Sequence, residues 1–253
     1  MKRYRLSIAL TTGLIALLAI VAMSLVVNPG TQAEEGRPLL EYPSYPPTPT
    51  IGPANPNKAA VASGALLFSD SFDTEQSLAS WEVVDLAETL PEDQADWLVQ
   101  EGRLVQNATT LAGMSSARET LLVTGNAGWT DYVVSADAYD LYTGNFGVVA
   151  RRQGNSFYRY QVVADELPDG PKHILEKVVD GKATRLAVLD GPGYSQRAWH
   201  NIALSVQGSQ IRAYLDGQLI LEATDSELTS GQAGLFTRPL AGILFDNATV
   251  TRP

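Results

Sequence analysis

The chain has 253 residues, 45% of them hydrophobic, and carries 18 Lys or Arg against 28 Asp or Glu for a formal net charge of -10. That length holds one large β domain or two small ones with a sizeable core, and the acidity excludes the clustered cations that nucleic acid or an anionic lipid surface requires. There is no cysteine, which removes disulfides, thiolate metal sites and cysteine nucleophiles together.

The first element is apolar. Lys2, Arg3 and Arg5 precede Leu6–Val27, a run without a charge that is long enough to cross a bilayer of roughly 30 Å as a helix. The cations before it and Glu34 and Glu35 after it keep the N-terminus in the cytoplasm and export the rest. Residues 1–27 are therefore a signal-anchor or a signal peptide. The run exceeds a usual signal-peptide core, while Thr31-Gln32-Ala33 is a fair cleavage match. The two outcomes are a cell-membrane protein with an extracytoplasmic domain, or a secreted one.

Residues 28–64 change composition to Pro, Thr, Ala and Asn with no periodic apolar positions. Such a segment buries too little to offset its ordering entropy, and its prolines favour extended backbone. It reads as an extracytoplasmic linker, with a Pro-rich recognition ligand around Tyr45–Pro49 as the alternative. Residues 1–64 carry a net +2, so the 65–253 segment carries -12. The acidity belongs to the folded part.

That part reads as β throughout. TDYVVSADAYDL, NFGVVARR, SFYRYQVVA, HILEKVVD, ATRLAVLD, HNIALSVQ, QIRAYLD and QLILEA are short, rich in Val, Ile, Leu and Tyr, and bounded by turn residues. Asp180-Gly181 and Asp216-Gly217 have two-residue hairpin chemistry, and Gly154-Asn155 and Gly208-Ser209 are related turns. With Asp216-Gly217 as the turn, simple pairing sets Leu215 against Gln218, Tyr214 against Leu219, Ala213 against Ile220, Arg212 against Leu221 and Ile211 against Glu222. Short strands with tight turns predict a sandwich or barrel.

The series FSDSFD, TDYVVSADAYDL, GNFGVVARRQGNSFYRYQVV, HILEKVVDGKATRLAV, WHNIALSVQGSQIRAYLDGQLILEA, GQAGLFTR and ILFDNATV resembles the concanavalin A-like lectin/glucanase superfamily. Within it the likeness is to bacterial laminin-G-like jelly rolls and to 3-keto-disaccharide hydrolase or family 16 glycoside hydrolase-like domains, over roughly Leu66 to Val250. The resemblance implies an all-β, two-sheet antiparallel jelly-roll sandwich over residues 65–253, with sugars bound on a concave face or its rim.

The glucanase branch is known for an E-x-D-x-(x)-E strand that sets two glutamates on one face. No glutamate here has an aspartate two residues on, so that apparatus is missing. Acidic groups such as Asp137 and Asp140, Asp165 and Glu166, or Asp225 and Glu227 fall at strand ends and turns, where solvated structural roles are the commoner reading. His173 and His200 form neither a zinc site nor a Ser-His-Asp order with a nucleophile elbow.

Binding candidates remain. Strand alternation puts Val149 and Arg151 on one side and Tyr158 and Tyr160 together on the next strand. Arg151, Tyr158, Tyr160 and Lys177 are expected on a concave face, the rings stacking on pyranoses and the cations donating to hydroxyls; core packing is the alternative for the tyrosines. Trp199 and Tyr214 are further stacking candidates, with strand-end packing the competing role for Trp199. The resemblance also implies a structural Ca²⁺ near the paired terminal strands, where Asp70, Asp73 and Asp246 lie; turn or capping roles are the alternative. The expected function is an exported, membrane-tethered, non-catalytic carbohydrate-binding module. The alternatives are an interaction subunit of an envelope protein complex and a glycoside-acting hydrolase.

Overall fold

The computed structural model describes residues 64–253 apart from 87–94, 107–118, 142, 169 and 239–241. The N-terminal apolar helix and the linker to residue 63 lie outside the described residues. Among the described residues no helix is long and apolar enough to cross a membrane.

Two antiparallel sheets carry the fold. The eight-stranded sheet contains β1 (Leu66–Asp70), β3 (Trp97–Gln100), β4 (Arg103–Gln106), β6 (Tyr132–Asp140), β11 (Trp199–Gln207), β12 (Gln210–Leu215), β13 (Gln218–Thr224) and β15 (Ile243–Thr251). Its order is β13-β12-β11-β6-β15-β4-β3, with β1 also on β15. The seven-stranded sheet contains β2 (Glu82–Asp85), β5 (Thr120–Thr124), β7 (Asn145–Gln153), β8 (Ser156–Val163), β9 (His173–Val179), β10 (Lys182–Leu189) and β14 (Gln232–Arg238), in the order β10-β9-β8-β7-β14-β5-β2. A single 3-10 helix, Glu75–Ser80, follows β1. The two-sheet expectation therefore holds for the described residues. Strands β2 to β5 had no counterpart in the sequence reading.

The sheets meet through alternate side chains. Val134, Ala136, Ile202, Leu204 and Phe245 from one sheet face Phe146, Val148, Tyr158, Tyr160 and Leu235 from the other, all within one buried cluster. The hairpin turns follow their residue chemistry: Asp216-Gly217 and Asp180-Gly181 both take positive φ at both positions. Leu215↔Gln218 and Tyr214↔Leu219 pair as expected, but the register then shifts and Ala213 faces Leu221, Arg212 faces Glu222 and Ile211 faces Ala223. Ile220 is the extra residue of a bulge. The correction has a clear benefit, since Arg212 now donates from Nε to Glu222 on the outer face.

Arg151 corrects a second expectation. Strand β7 bulges at this position, where φ is 53°, so its side chain leaves the face of Val149 and is almost fully buried at 1% exposure. Its guanidinium donates to the carbonyls of Thr130 (2.9 Å), Gly208 (2.9 Å) and Leu228 (2.8 Å) and lies 3.4 Å from Asp131 Oδ1. Gly208 joins β11 to β12 of the opposite sheet, and Thr130 leads from β5 into β6 of that sheet. In return, Tyr132 of β6 reaches across to accept from Arg151 N (2.5 Å) and donate toward the carbonyls of Gly231 and Gln232 (3.1 and 3.0 Å). Gly231 packs so closely here that a Cβ would lie 2.3 Å from the Arg151 carbonyl carbon. The two residues bolt the sheets together, and neither is free to bind sugar.

Replacing Arg151 with Met keeps most of the volume and strips three buried carbonyls of their donor. The expected outcome is a loss of about 2–4 kcal/mol in urea unfolding of the Arg151→Met variant, with the Asp131 pairing contributing little.

Candidate functional site

The candidate site lies on the outer face of the seven-stranded sheet, and strand β8 builds it. Because Tyr158 and Tyr160 point into the core, Phe157, Arg159 and Gln161 must point the other way. Register places Arg159 beside Glu176 of β9 and Val149 of β7, and Gln161 beside Gly147. Glu119 precedes β5 and reaches the same spot.

A line of alternating charge results. Arg159 donates from Nη1 to Glu119 Oε2 (2.6 Å) and from Nη2 and Nε to Glu176 Oε2 (2.6 and 3.2 Å). Arg238 extends the line beyond Glu119 at 3.3 Å, and Arg185 stands 3.9 Å from Glu176 Oε1. The centre is buried, with Arg159 at 3% and Glu176 at 6% exposure, while Arg185 and Arg238 lie open at the ends. The Arg159 Cζ also sits 4.3 Å from the Phe236 ring centroid, a cation–π contact. Charges this deep require mutual pairing, since an isolated one would cost several kcal/mol to desolvate.

Gln161 completes the arrangement. Its Nε2 donates to Glu176 Oε2 (3.2 Å), yet its Oε1 is buried without a donor. Beside this line lies a recess of about 90 Å³ lined by the buried Phe157 and Val178, by Leu86, Glu119 and Arg159, and by the exposed Asn155, Gly181 and Ala183. An apolar lining with a few convergent polar groups is the usual make-up of a small-ligand site. The volume suits part of one small ring rather than a large ligand.

The residues singled out from sequence do not gather here. Tyr158 and Tyr160 are fully buried between the sheets, so their rings offer no stacking surface. Tyr158 donates to Asp225 Oδ1 (2.5 Å), and burial followed by that carboxylate pushes its hydroxyl up to about 12. Lys177 is held by Asp225 and Glu227 at 2.5 and 2.6 Å, which raises its pKa. Trp199 packs on Tyr139 with ring centroids 5.3 Å apart, and Tyr214 is half-buried; both project from the eight-stranded sheet, away from Arg159.

The three aspartates expected at a calcium site do not converge. Asp70 pairs with Ala248, which faces the core, while Asp246 pairs with Asp137 on the outer face, so the two diverge. Asp70 accepts from Phe72 N and Trp81 Nε1 (2.8 and 2.9 Å), and Asp73 from Ser71 Oγ (2.6 Å). Among the described residues no group of three His, Asp or Glu is placed to hold a metal ion.

The two histidines stiffen the loop before β11. His173 faces the Pro192 carbonyl with Nε2 (2.6 Å), which needs a donor, so Nδ1 accepts from Tyr160 (2.8 Å). His200 stands between Asp216 Oδ2 on Nδ1 (2.8 Å) and Ser195 on Nε2, at 3.0 Å to the carbonyl and 3.2 Å to the hydroxyl. Ser195, His200 and Asp216 thus have triad-like separations that sequence order concealed. The Ser195 carbonyl, however, claims Nε2 as a donor, whereas a general base needs a lone pair there.

Together these features define a class: an all-β, two-sheet antiparallel jelly-roll sandwich with a polar recess on one sheet. Residues 67–251 match the family described as a 3-keto-alpha-glucoside-1,2-lyase-like domain, and the chain belongs to it. Among solved structures it is similar to the carbohydrate binding module CBM66 from Bacillus subtilis, at 18% identity and TM-score 0.53, covering 68% of this chain and 95% of that one. A Bacillus subtilis protein of unknown function with a galectin-like fold matches at 11% identity and TM-score 0.57, over 75% and 96% of the two chains. A glycosyl hydrolase family protein from Mycobacterium fortuitum matches at 14% and 0.50, over 73% and 99%. No curated protein is a match for this sequence.

The histidines give stability opposite pH signatures. Burial pushes His200 down, but the Asp216 hydrogen bond and charge with the Ser195 carbonyl outweigh it and leave its pKa raised above 6.5. Its contribution is therefore fully present below pH 6.5 and fades as pH rises through the raised value. His173 is lowered, by burial first and despite the Pro192 carbonyl, so its neutral form favours folding and stability is lost as pH falls below 6.5. In denaturant melts from about pH 5 to 8, the deficit of His200→Gln relative to wild type should shrink toward the alkaline end, and His173→Gln should lose the acid-side decline.

Proposed function

We propose that the protein is an exported carbohydrate-binding protein, tethered to the membrane by its N-terminal apolar segment, that receives sugar at the recess beside Arg159 without cleaving it. The observation that carries this reading is the recess itself, where the buried Phe157 and Val178 lie beside Glu119 and Arg159. The apolar side chains of Phe157 and Val178 accept the carbon face of a ring, and the exposed Asn155 adds amide hydrogen bonding to its hydroxyls. The similarity to a carbohydrate binding module supports the ligand class. The absence of cleavage is supported by the carboxylates of Glu119 and Glu176 both being spent on Arg159.

The second reading, a lyase or hydrolase acting on a glycoside, is favoured by the family match over residues 67–251. Release of free sugar from 3-keto-glucosides or disaccharides by the full chain would establish it and overturn the non-catalytic reading.

Calorimetric titration of the full chain with a panel of oligosaccharides tests binding. Asn155→Ala should weaken the binding sugar about tenfold, the worth of one hydrogen bond, with the thermal midpoint little changed. Absence of binding across the panel would turn the reading toward an envelope interaction subunit.

A further inference from the structure

We propose that a water molecule is bound inside the sandwich, between the two sheets, held by the side-chain amide of Gln106 and the hydroxyl of Thr237. Gln106 ends β4 and Thr237 lies near the end of β14, one in each sheet. Both are at 0% exposure. Gln106 Nε2 and Oε1 and Thr237 Oγ1 all lack a hydrogen-bond partner. Buried amides and hydroxyls in folded proteins are satisfied by protein or by ordered water, and Gln106 has neither of its two polar atoms met by protein.

Register brings the two side chains to the same gap. Gln106 pairs with Trp97 and with Ile243, and shares the inward parity of Leu104, which is in the core. Thr237 pairs with Thr120 and Phe146 and shares the inward parity of Leu235. Trp97 Nε1 donates across the gap to Thr120 Oγ1 at 3.2 Å, so the neighbours of Gln106 and Thr237 already touch. Facing sheets stand about 10 Å apart. A glutamine and a threonine reaching from opposite sides across that spacing can share one small bridging molecule.

The chemistry of the three atoms selects water. The site offers an amide donor, an amide acceptor and a hydroxyl that serves as either, which is the two-to-four-partner environment an interior water needs. Phe245 packs against Trp97 and Phe146 at 6.0 and 6.4 Å by ring centroids, so the surroundings are apolar and the polar partners are the three orphaned atoms. This water is separate from the recess beside Arg159, which lies on the opposite face of the seven-stranded sheet. The consequence is a hydrated joint between sheets next to the Trp97–Thr120 contact.

A high-resolution crystal structure of the full chain, with solution water-to-amide cross-peaks for the Gln106 NH₂, tests the proposal. The expected result is density within hydrogen-bond distance of both Gln106 and Thr237, absent in Gln106→Leu. Thermal midpoints add a second readout: Gln106→Leu and Thr237→Val should each lower the midpoint by a few degrees, and the double variant by less than their sum, because it removes both orphaned groups at once. A wild-type map in which the two side chains bond directly to each other or to backbone, or strictly additive midpoints, would overturn it. Should a variant fail to fold, the wild-type map and cross-peaks decide alone.

Discussion

The reciprocal reach of Tyr132 and Arg151 holds the two sheets in fixed relation. Each side chain leaves its own sheet and ends on backbone belonging to the other sheet or to its connections. Backbone carbonyls buried away from water need donors, and here a guanidinium supplies three of them at once. The bulge at Arg151 exists for this purpose in the physical sense: with regular alternation the guanidinium would lie on the outer face with Val149, out of reach of Thr130, Gly208 and Leu228. Deep burial pushes the Tyr132 phenol up as well, so it stays a neutral donor and acceptor at any ordinary pH.

With the sheets fixed, the period of two along β8 decides what each residue is for. Tyr158 and Tyr160 serve the core, and Phe157, Arg159 and Gln161 serve the outer face. One strand therefore anchors the sandwich on one side and builds the candidate site on the other. Arg159 can be held with little freedom because its base is a central strand and its guanidinium is pinned by two carboxylates and the Phe236 ring. A site on such a support is preorganised, so a ligand loses little of its interaction to ordering side chains.

Much of this architecture was legible in the sequence. Asp180-Gly181 and Asp216-Gly217 announced their hairpins because aspartate and glycine tolerate the left-handed backbone both positions need. Glu101-Gly102 forms the same kind of turn, with φ of 51° and 69°, but glutamate carries no such signal, and the short strands β3 and β4 on either side passed unread. The Ile220 and Arg151 bulges were equally silent, since nothing in LILEA or VVARR marks the residue that steps out of register. The site itself left a trace: a charged Arg159 between two aromatics of an otherwise apolar strand had to face away from them. Its partners could not be named, because Glu119 and Glu176 are brought to it by strand order rather than by sequence spacing.

The ends of both sheets have a bearing on crowding. An unpaired strand edge is a template for another chain, and the four described strands that end the two sheet orders are blunted. Strands β2 and β3 are only four residues long. Strand β13 steps out of register at Ile220, and β10 does so near Leu186 while carrying exposed Lys182 and Arg185. The same Arg185 that closes the charge line on the outer face thus also makes its edge a poor seed for sheet growth between copies. These edges therefore offer little template for strand addition between neighbouring copies, and the side chains that blunt them also shape the surface.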